Sequence, residues 1–416
     1  MKLQQTDPQI AKLIKKELNR QKNGLVLIAS ENFASPSVME VSGSVLTNKY
    51  SEGYADKRYY GGNEFIDEIE KLAIARAKKI FLPKNQWDQW SVNVQPYSGS
   101  PANLEVYFAL LNPGDKIMGM ALPQGGHLTH GHPVNLSGKI FQAIKYGVDP
   151  KTFLLNYQEI EKIALAEKPK LIICGATAYS RKIDFEAFSK IAKKCGAILM
   201  ADISHIAGIV AAGLHPSPFP CCDIVTTTTH KTLRGPRGAM IFSRNEYSEK
   251  INKMVFPGMQ GGPHDHTTGA IAVCLSEILK PSFKKYIKQV LANAKVLAQT
   301  LKASGIDLIT DGTENHLILA DLRKTGLNGK EAEKLLEAVG IYLNRNTIPF
   351  DPNPPFSPSG IRIGTAALTT RGMKEKEMKI VGKLIADLIW NSKDKKTAAE
   401  AKKIIKKLTQ KFSLYK

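Results

Sequence analysis

Residues 225–238 read VTTTTHKTLRGPRG. An apolar approach runs into four threonines, then His230 and Lys231, then a turn bounded by Gly235 and Gly238. Valine and threonine favour extended backbone, so a strand is expected over 223–228 with a lysine just past its end. A lysine among hydroxyls at a strand end is placed to form a Schiff base with an aldehyde cofactor. The plain alternative is a surface lysine after a β-strand, and it holds unless partners for such a cofactor appear elsewhere in the chain.

Outward from this stretch, short apolar runs alternate with helical patterns from about 100 to 245. Strands are expected at 116–120, 139–144, 170–174, 197–201, 223–228 and 239–243, and helices at 101–111, 157–167 and 184–195. The alternation predicts an α/β fold with a mostly parallel sheet of seven-stranded type, covered by helices. In such sheets ligands bind at the carboxyl ends of the strands. Upstream, residues 1–22 read as an amphipathic helical arm with Ile10, Leu13, Ile14 and Leu18 at helical spacing. A helix over 64–80 interrupts a polar, tyrosine-rich stretch from 24 to 100. Downstream come a long helix at 281–303, a strand pair, a Pro-rich loop at 349–358 and a basic terminal helix, which read as a smaller α+β domain. The expected division is an arm at 1–22, a large cofactor-binding domain at 23–280 and a small domain at 281–416.

Composition narrows the classes. No run of 18 apolar residues occurs and the first residues lack an apolar leader, so a cytoplasmic protein is expected and a membrane span is not. The five cysteines include the adjacent Cys221 and Cys222 and show no CxxC spacing, which suits reduced thiols rather than disulfides or zinc. The 58 basic and 38 acidic residues give a net charge of +20, with nine lysines against Asp394 and Glu400 from Asn391 onward. That charge favours anionic ligands, but no nucleic-acid motif accompanies it and specific nucleic-acid binding is not expected.

The partners for Lys231 do appear. Asp202 ends the apolar run AILMAD, where a carboxylate can keep the ring nitrogen of pyridoxal phosphate protonated. Taken alone, Asp202 reads equally well as a helix cap. YSGSPAN at 97–103 offers Ser98, Gly99 and Ser100 ahead of a helical run, a place for a phosphate, although such a loop also caps ordinary helices. Together they make a phosphate cup, a pyridinium partner and a Schiff-base lysine.

With these segments stand LIASEN at 27–32, NKYSEGYADKRYYGG at 48–62, QPYSGSPAN, GGHLTHG at 125–131, Asp202-x-x-His205-x-Ala-Gly, FPGMQGGP at 256–263 and SGIRIGT at 359–365. In that order and at that length they resemble the serine hydroxymethyltransferase family over nearly the whole chain. The resemblance implies the fold type I pyridoxal-phosphate architecture. It implies reversible transfer of the serine hydroxymethyl carbon to tetrahydrofolate, giving glycine and 5,10-methylenetetrahydrofolate, with Cα–Cβ cleavage direct or by retro-aldol release. It also implies residue roles. Lys231 holds the cofactor; His230, Thr228 and Glu52 join it in the catalytic set, with Glu52 moving a proton. Ser98, Gly99 and Ser100 bind the phosphate, His127 stacks on the ring, Asp202 pairs with its nitrogen, and Thr177 and His205 lie near the ring hydroxyl and substrate carboxylate. Tyr50 and Gly261 contribute from a neighbouring subunit, so a homodimer with its site at the interface is implied. Arg362, assisted by Ser30, clamps the amino-acid carboxylate, and Tyr60 belongs to the same substrate set. Leu122, Gly126, Leu128, Asn346, Pro354 and Phe356 form the folate site.

The chain departs from the family pattern at Gln124, Arg345 and Ala366, and its stretch 83–94 is longer than usual, with Trp87 and Trp90 expected on the surface or in an interface. His127, His130 and His132 have a spacing that suggests a metal, but no carboxylate or cysteine close in sequence completes a ligand set, so no metal is expected. Two rival functions remain: a folate-independent aldolase for threonine-like β-hydroxy amino acids, and an inactive RNA-binding homologue. The EGY segment and the folate-loop residues argue against the first, and the intact Lys231, Asp202 and Arg362 against the second.

Overall fold

The run LIICG at Leu171–Gly175 is buried at every position. A strand with no polar face belongs inside a sheet covered on both sides. In the computed structural model, which describes residues 2–415, it lies in a seven-stranded sheet. Met1 and Lys416, the outer ends of the expected arm and small domain, lie outside the described residues. In chain order the strands are β1 (Trp90–Asn93), β2 (Lys116–Met120), β3 (Gln142–Tyr146), β4 (Leu171–Gly175), β5 (Ile198–Asp202), β6 (Ile224–Thr228) and β7 (Ala239–Arg244). Their spatial order is β1-β7-β6-β5-β4-β2-β3. The pairs from β3 through β6 are parallel, and β7 runs antiparallel to both β6 and β1. This is the mostly parallel, seven-stranded α/β sheet expected from the alternation of apolar runs and helical patterns.

Two local readings are corrected. The expected strand at 139–144 begins later: Leu136–Ile140 is helical, with the Asn135 side chain accepting from the Ser137 N–H at 3.0 Å, and β3 covers 142–146. A cap that satisfies a first-turn N–H outweighs the apolar content of the run. The stretch 83–94 is a 3₁₀ segment at Lys84–Gln89 leading into β1, an edge strand of the main sheet. Trp90 is therefore wholly buried instead of exposed, packed edge-on against Phe219 at 5.2 Å with the Arg244 guanidinium 4.5 Å above its ring.

The described residues form two compact units, 32–288 and the pair of segments 2–31 with 289–415. The first holds the seven-stranded sheet. In the second, a four-stranded antiparallel sheet has the order β8 (Asp307–Leu308), β9 (Leu317–Asp321), β11 (Gly360–Gly364), β10 (Asn344–Asn346). Leu25–Val26 pairs in parallel with Ile341–Tyr342, and Leu25 and Leu27 join a core with Ile318, Ile341, Ile361, Ile385 and Ile405. The helix Pro8–Asn23 starts with proline and an Asp7 cap on Gln9 and Ile10, and its Ile10, Leu13 and Ile14 are exposed. No helix among the described residues is long and apolar enough to cross a membrane.

One side chain ties the ends of the second unit together. Arg371 donates to the carbonyls of Gly24 (2.7 Å), Lys22 (2.9 Å) and Gln21 (3.4 Å) near the start of the chain, and to those of Phe412 (2.8 Å) and Thr409 (3.2 Å) near its end. Removing it leaves buried carbonyls without a donor. Arg371→Ala should destabilise the protein by about 2–4 kcal/mol. Chemical denaturation should show this loss, with amide exchange rising at residues 20–26 and 408–414.

Candidate active site

Asp202 ends β5 and stands opposite Thr226 of β6, so the strand register alone sets the carboxylate beside the chain leading to Lys231. Lys231 Nζ donates to Thr228 Oγ1 at 3.3 Å. The 232–238 turn is held down by Thr232 Oγ1 donating to the buried His205's carbonyl at 3.1 Å and by the Gly235 N–H donating to Thr229's at 2.7 Å. The helix Gly99–Leu110 points its amino end at the same place. A Cβ on Gly99 would stand 2.6 Å from Thr228 Cγ2, so only glycine allows this approach. Ser98, the cap residue, makes no side-chain cap bond, which leaves the first N–H groups of the helix open to an anion.

Asp202 is buried, and burial alone would raise its carboxyl. His130, the neighbouring His127 and the Ser204 hydroxyl outweigh that and hold it well below the usual carboxylate range. His130 Nε2 lies 3.2 Å from Oδ2, Asn103 Nδ2 donates to the same oxygen at 2.9 Å, and the Ser204 N–H donates to Oδ1 at 3.1 Å. His130 Nδ1 accepts from the His127 N–H at 3.3 Å, so Nε2 carries the proton and donates. Asn103 is itself fixed, receiving the Thr226 hydroxyl at 2.7 Å and donating to Thr129 Oγ1 at 2.9 Å, which in turn bonds His127 Nδ1 at 2.7 Å. Thr177 Oγ1 donates to the Gly126 carbonyl at 2.8 Å and steadies the loop that carries His127. A continuous hydrogen-bond chain therefore runs from His127 to Asp202. Asn103, Thr129 and His130 in this chain were not read as site residues; Asn103 stands inside the quoted SGSPAN motif, four residues after Gly99.

The same cluster corrects the argument about metals. The carboxylate missing near His127 and His130 in sequence is Asp202, and ligand atoms of the three lie within 4.8 Å of one another. His132 is not in that group.

His230 shows what the site can receive. Arg237 Nη1 lies 3.1 Å from His230 Nε2; a guanidinium only donates, so Nε2 accepts and the ring proton sits on Nδ1. That Nδ1–H is buried and has no protein acceptor among the described residues. A buried donor held toward nothing is costly unless a ligand supplies the acceptor. Burial, then the charges of Lys231 and Arg237, push the His230 pKa down to about 3, so the ring is neutral near pH 7. An open helix end, an amine among hydroxyls, a charged carboxylate and this donor fit a phosphorylated pyridine aldehyde.

A second group in the same unit surrounds Glu52. Tyr50 Oη donates to Glu52 Oε1 at 3.0 Å, a Cβ on Gly261 would stand 3.3 Å from that oxygen, and the Tyr60 ring meets Tyr50 edge-on at 5.2 Å. Leu122 is half-buried and Leu128 exposed, so neither is the core residue its type suggests. Gly126 leaves no space for a side chain against the Met120 carbonyl.

In the other unit, Arg362 lies on β11, its Nε donating to Asn344 Oδ1 at 3.1 Å; burial pushes its guanidinium down to about 10. Ser30 is half-buried in a turn, Asn346 ends β10, and Pro354 and Phe356 lie on an exposed loop. Arg345 pairs with Glu333 at 2.7 Å, Ala366 is buried at the start of a short helix, and, in the first unit, Gln124 Oε1 accepts from the Val148 N–H at 2.7 Å.

The serine hydroxymethyltransferase family model matches residues 3–385. A serine hydroxymethyltransferase of Prochlorococcus marinus subsp. pastoris is 56% identical over 414 residues, 99% of this chain and 96% of that protein. One from Microcystis aeruginosa is 56% identical over 411 residues, covering 99% and 95%. One from Nostoc is 54% identical over 414 residues, covering 99% and 96%.

The depressed His230 pKa has a consequence for stability. The unfolded imidazole takes up a proton near its ordinary 6.5, the folded one not until about 3. The unfolded state thus binds more protons in that window, and stability present above pH 6.5 is lost as pH falls through it. His230→Asn should flatten the decline of the urea midpoint between about pH 6.5 and 5, before most carboxylates titrate. An imidazole NMR signal assigned to His230 should not move over the same range.

Proposed function

This chain belongs to the serine hydroxymethyltransferase family, and from that premise we propose how its own residues carry the reaction. It is an enzyme that transfers the hydroxymethyl carbon of serine reversibly to tetrahydrofolate, giving glycine and 5,10-methylenetetrahydrofolate. The family depends on pyridoxal phosphate. When bound, that cofactor supplies an aldehyde for an amine and a protonated ring that accepts electron density.

The observation that carries the proposal is the meeting, at the carboxyl ends of β5 and β6, of Asp202, Lys231 and the open helix end at Gly99. Lys231 holds the aldehyde through its amine, with Thr228 keeping that amine in place. Asp202, kept ionised by its donors, holds the proton on the ring nitrogen. Ser98, Gly99 and Ser100 would hold the phosphate, His127 the ring, and Thr177 and His205 the ring hydroxyl. His230 offers its Nδ1–H to an oxygen of the bound substrate.

Arg362, assisted by Ser30 and Tyr60, binds the serine carboxylate. A desolvated guanidinium gains most from such a partner, and its planar fork gives two parallel bonds. Glu52 moves the proton of the serine hydroxyl, its carboxyl held by Tyr50. Leu122, Gly126, Leu128, Asn346, Pro354 and Phe356 receive the folate. The exposure of Leu128 and Phe356 supports a role outside any core.

The proposal includes a homodimer in which Tyr50 and Gly261, together with the Glu52 carboxyl they meet, serve the neighbouring subunit. Exposed Met39, Val45, Tyr50, Tyr59, Phe65 and Leu72 within one stretch of chain support a covered surface there. It also includes a cytoplasmic location, supported by the five cysteines being free.

Lys231→Ala should abolish the visible absorbance of the lysine-attached cofactor and nearly all turnover while the far-ultraviolet spectrum persists. In the unaltered protein, borohydride reduction followed by mass spectrometry should place the pyridoxyl group on Lys231; another lysine would overturn the assignment. Arg362→Ala should weaken serine and glycine binding by roughly 2–5 kcal/mol and leave cofactor binding nearly unchanged. Titration of that absorbance with serine measures both.

A further inference from the structure

The peptide around Glu52 is held on every side. Arg58 Nη1 donates to the carbonyls of Ser51 (3.0 Å) and Gly53 (2.8 Å), Gln95 Nε2 donates to that of Gly53 at 3.0 Å, and the Tyr59 N–H donates to that of Glu52 at 3.0 Å. These contacts hold the backbone. One more holder acts through a side chain: Ser51 Oγ lies 2.7 and 2.8 Å from the two carboxylate oxygens of Asp265, and both residues are buried. A hydroxyl has one proton, so it sits between the oxygens and donates to one at a time. That locks the Ser51 rotamer and the peptide leading into Glu52.

Asp265 is well placed as a fixed point. It lies in the first turn of the helix Asp265–Ile278, where the helix dipole favours a negative side chain. Burying a carboxyl costs solvation, and burial pushes its pKa up against the pull of the Ser51 hydroxyl and the Arg58 charge. The segment before it reaches the Glu52 carboxyl at Gly261. It is also bolted to the residue that precedes the phosphate loop. Tyr97 Oη donates to the Gly262 carbonyl at 2.8 Å, the Tyr97 N–H donates to Gln260 Oε1 at 2.9 Å, and the Tyr97 ring stacks on His264 at 4.1 Å.

We propose that Asp265 is a positioning residue for Glu52: through the Ser51 hydroxyl it sets the attitude of the Glu52 carboxyl and ties it to the phosphate loop by way of residues 260–265. The proposal rests on Glu52 being the proton-transfer residue.

The test compares Ser51→Ala, Asp265→Ala and Asp265→Asn in the cofactor-loaded enzyme, each alone and combined with Glu52→Gln. Ser51→Ala and Asp265→Ala should each lower folate-dependent kcat roughly 10-fold, with serine KM and cofactor absorbance unchanged. Asp265→Asn keeps an acceptor for Ser51 and should stay within about 2-fold of the parent. In the Glu52→Gln background neither alanine change should add a loss, because the group they position is gone. Equal losses in kcat, KM and absorbance, or a further loss on top of Glu52→Gln, would mean a general structural role and overturn the proposal. Unchanged kcat in Ser51→Ala, which removes one oxygen and serves even if Asp265→Ala fails to fold, would also overturn it. If Glu52→Gln itself keeps full folate-dependent turnover, the assignment of Glu52 fails and the positioning role falls with it. If Glu52→Gln is impaired and Ser51→Ala is not, only the positioning role fails.

Discussion

A carboxylate withdrawn from water at the end of β5 must keep its charge, and much of the large unit is arranged to let it. Asp202 receives the Asn103 amide, the His130 imidazole and the Ser204 N–H. Each donor has its own anchor. Asn103 uses both amide hydrogens and its carbonyl, His130 is fixed in one tautomer by the His127 N–H, and Ser204 Oγ receives the Thr228 N–H from the next strand at 3.1 Å. An isolated buried carboxylate would neutralise itself. A fully hydrogen-bonded one stays ionised, which suits the role proposed for Asp202.

The same logic, polar groups taken out of water for a ligand still to come, recurs elsewhere in the chain. Among the described residues, the buried His230 Nδ1 has no hydrogen-bond partner. A buried donor of this kind costs stability by itself and adds affinity and orientation once paired with an acceptor. The glycines serve a related purpose. At Gly99 and Gly126 the backbone approaches Thr228 and Met120 so closely that no side chain would fit.

Much of this was legible in the sequence because it is local. A strand ending in threonines before Lys231, an acid ending the preceding apolar strand, and a Ser-Gly-Ser helix start are short patterns whose chemistry follows from their neighbours in the chain. The fold class followed from alternating apolar runs and helical periods. Less legible were features decided by remote partners. Trp90 is polar-flanked in sequence and buried in space, because Lys84–Gln89 turns the chain onto β7. The apolar run at 139–144 looked like one strand, because a capping asparagine competes with apolar content and only the folded chain shows which prevails.

The sequence by itself determined the family, the reaction and the residue types proposed for it, since these reside in contiguous motifs of fixed order. Only the tertiary structure decided how those residues are charged and held. Asp202 meets His130 across 72 positions of chain and Ser51 meets Asp265 across 214. Hydrogen bonding and desolvation depend on distance in space, not along the chain, so protonation, tautomer and orientation are settled when the strands and helices pack.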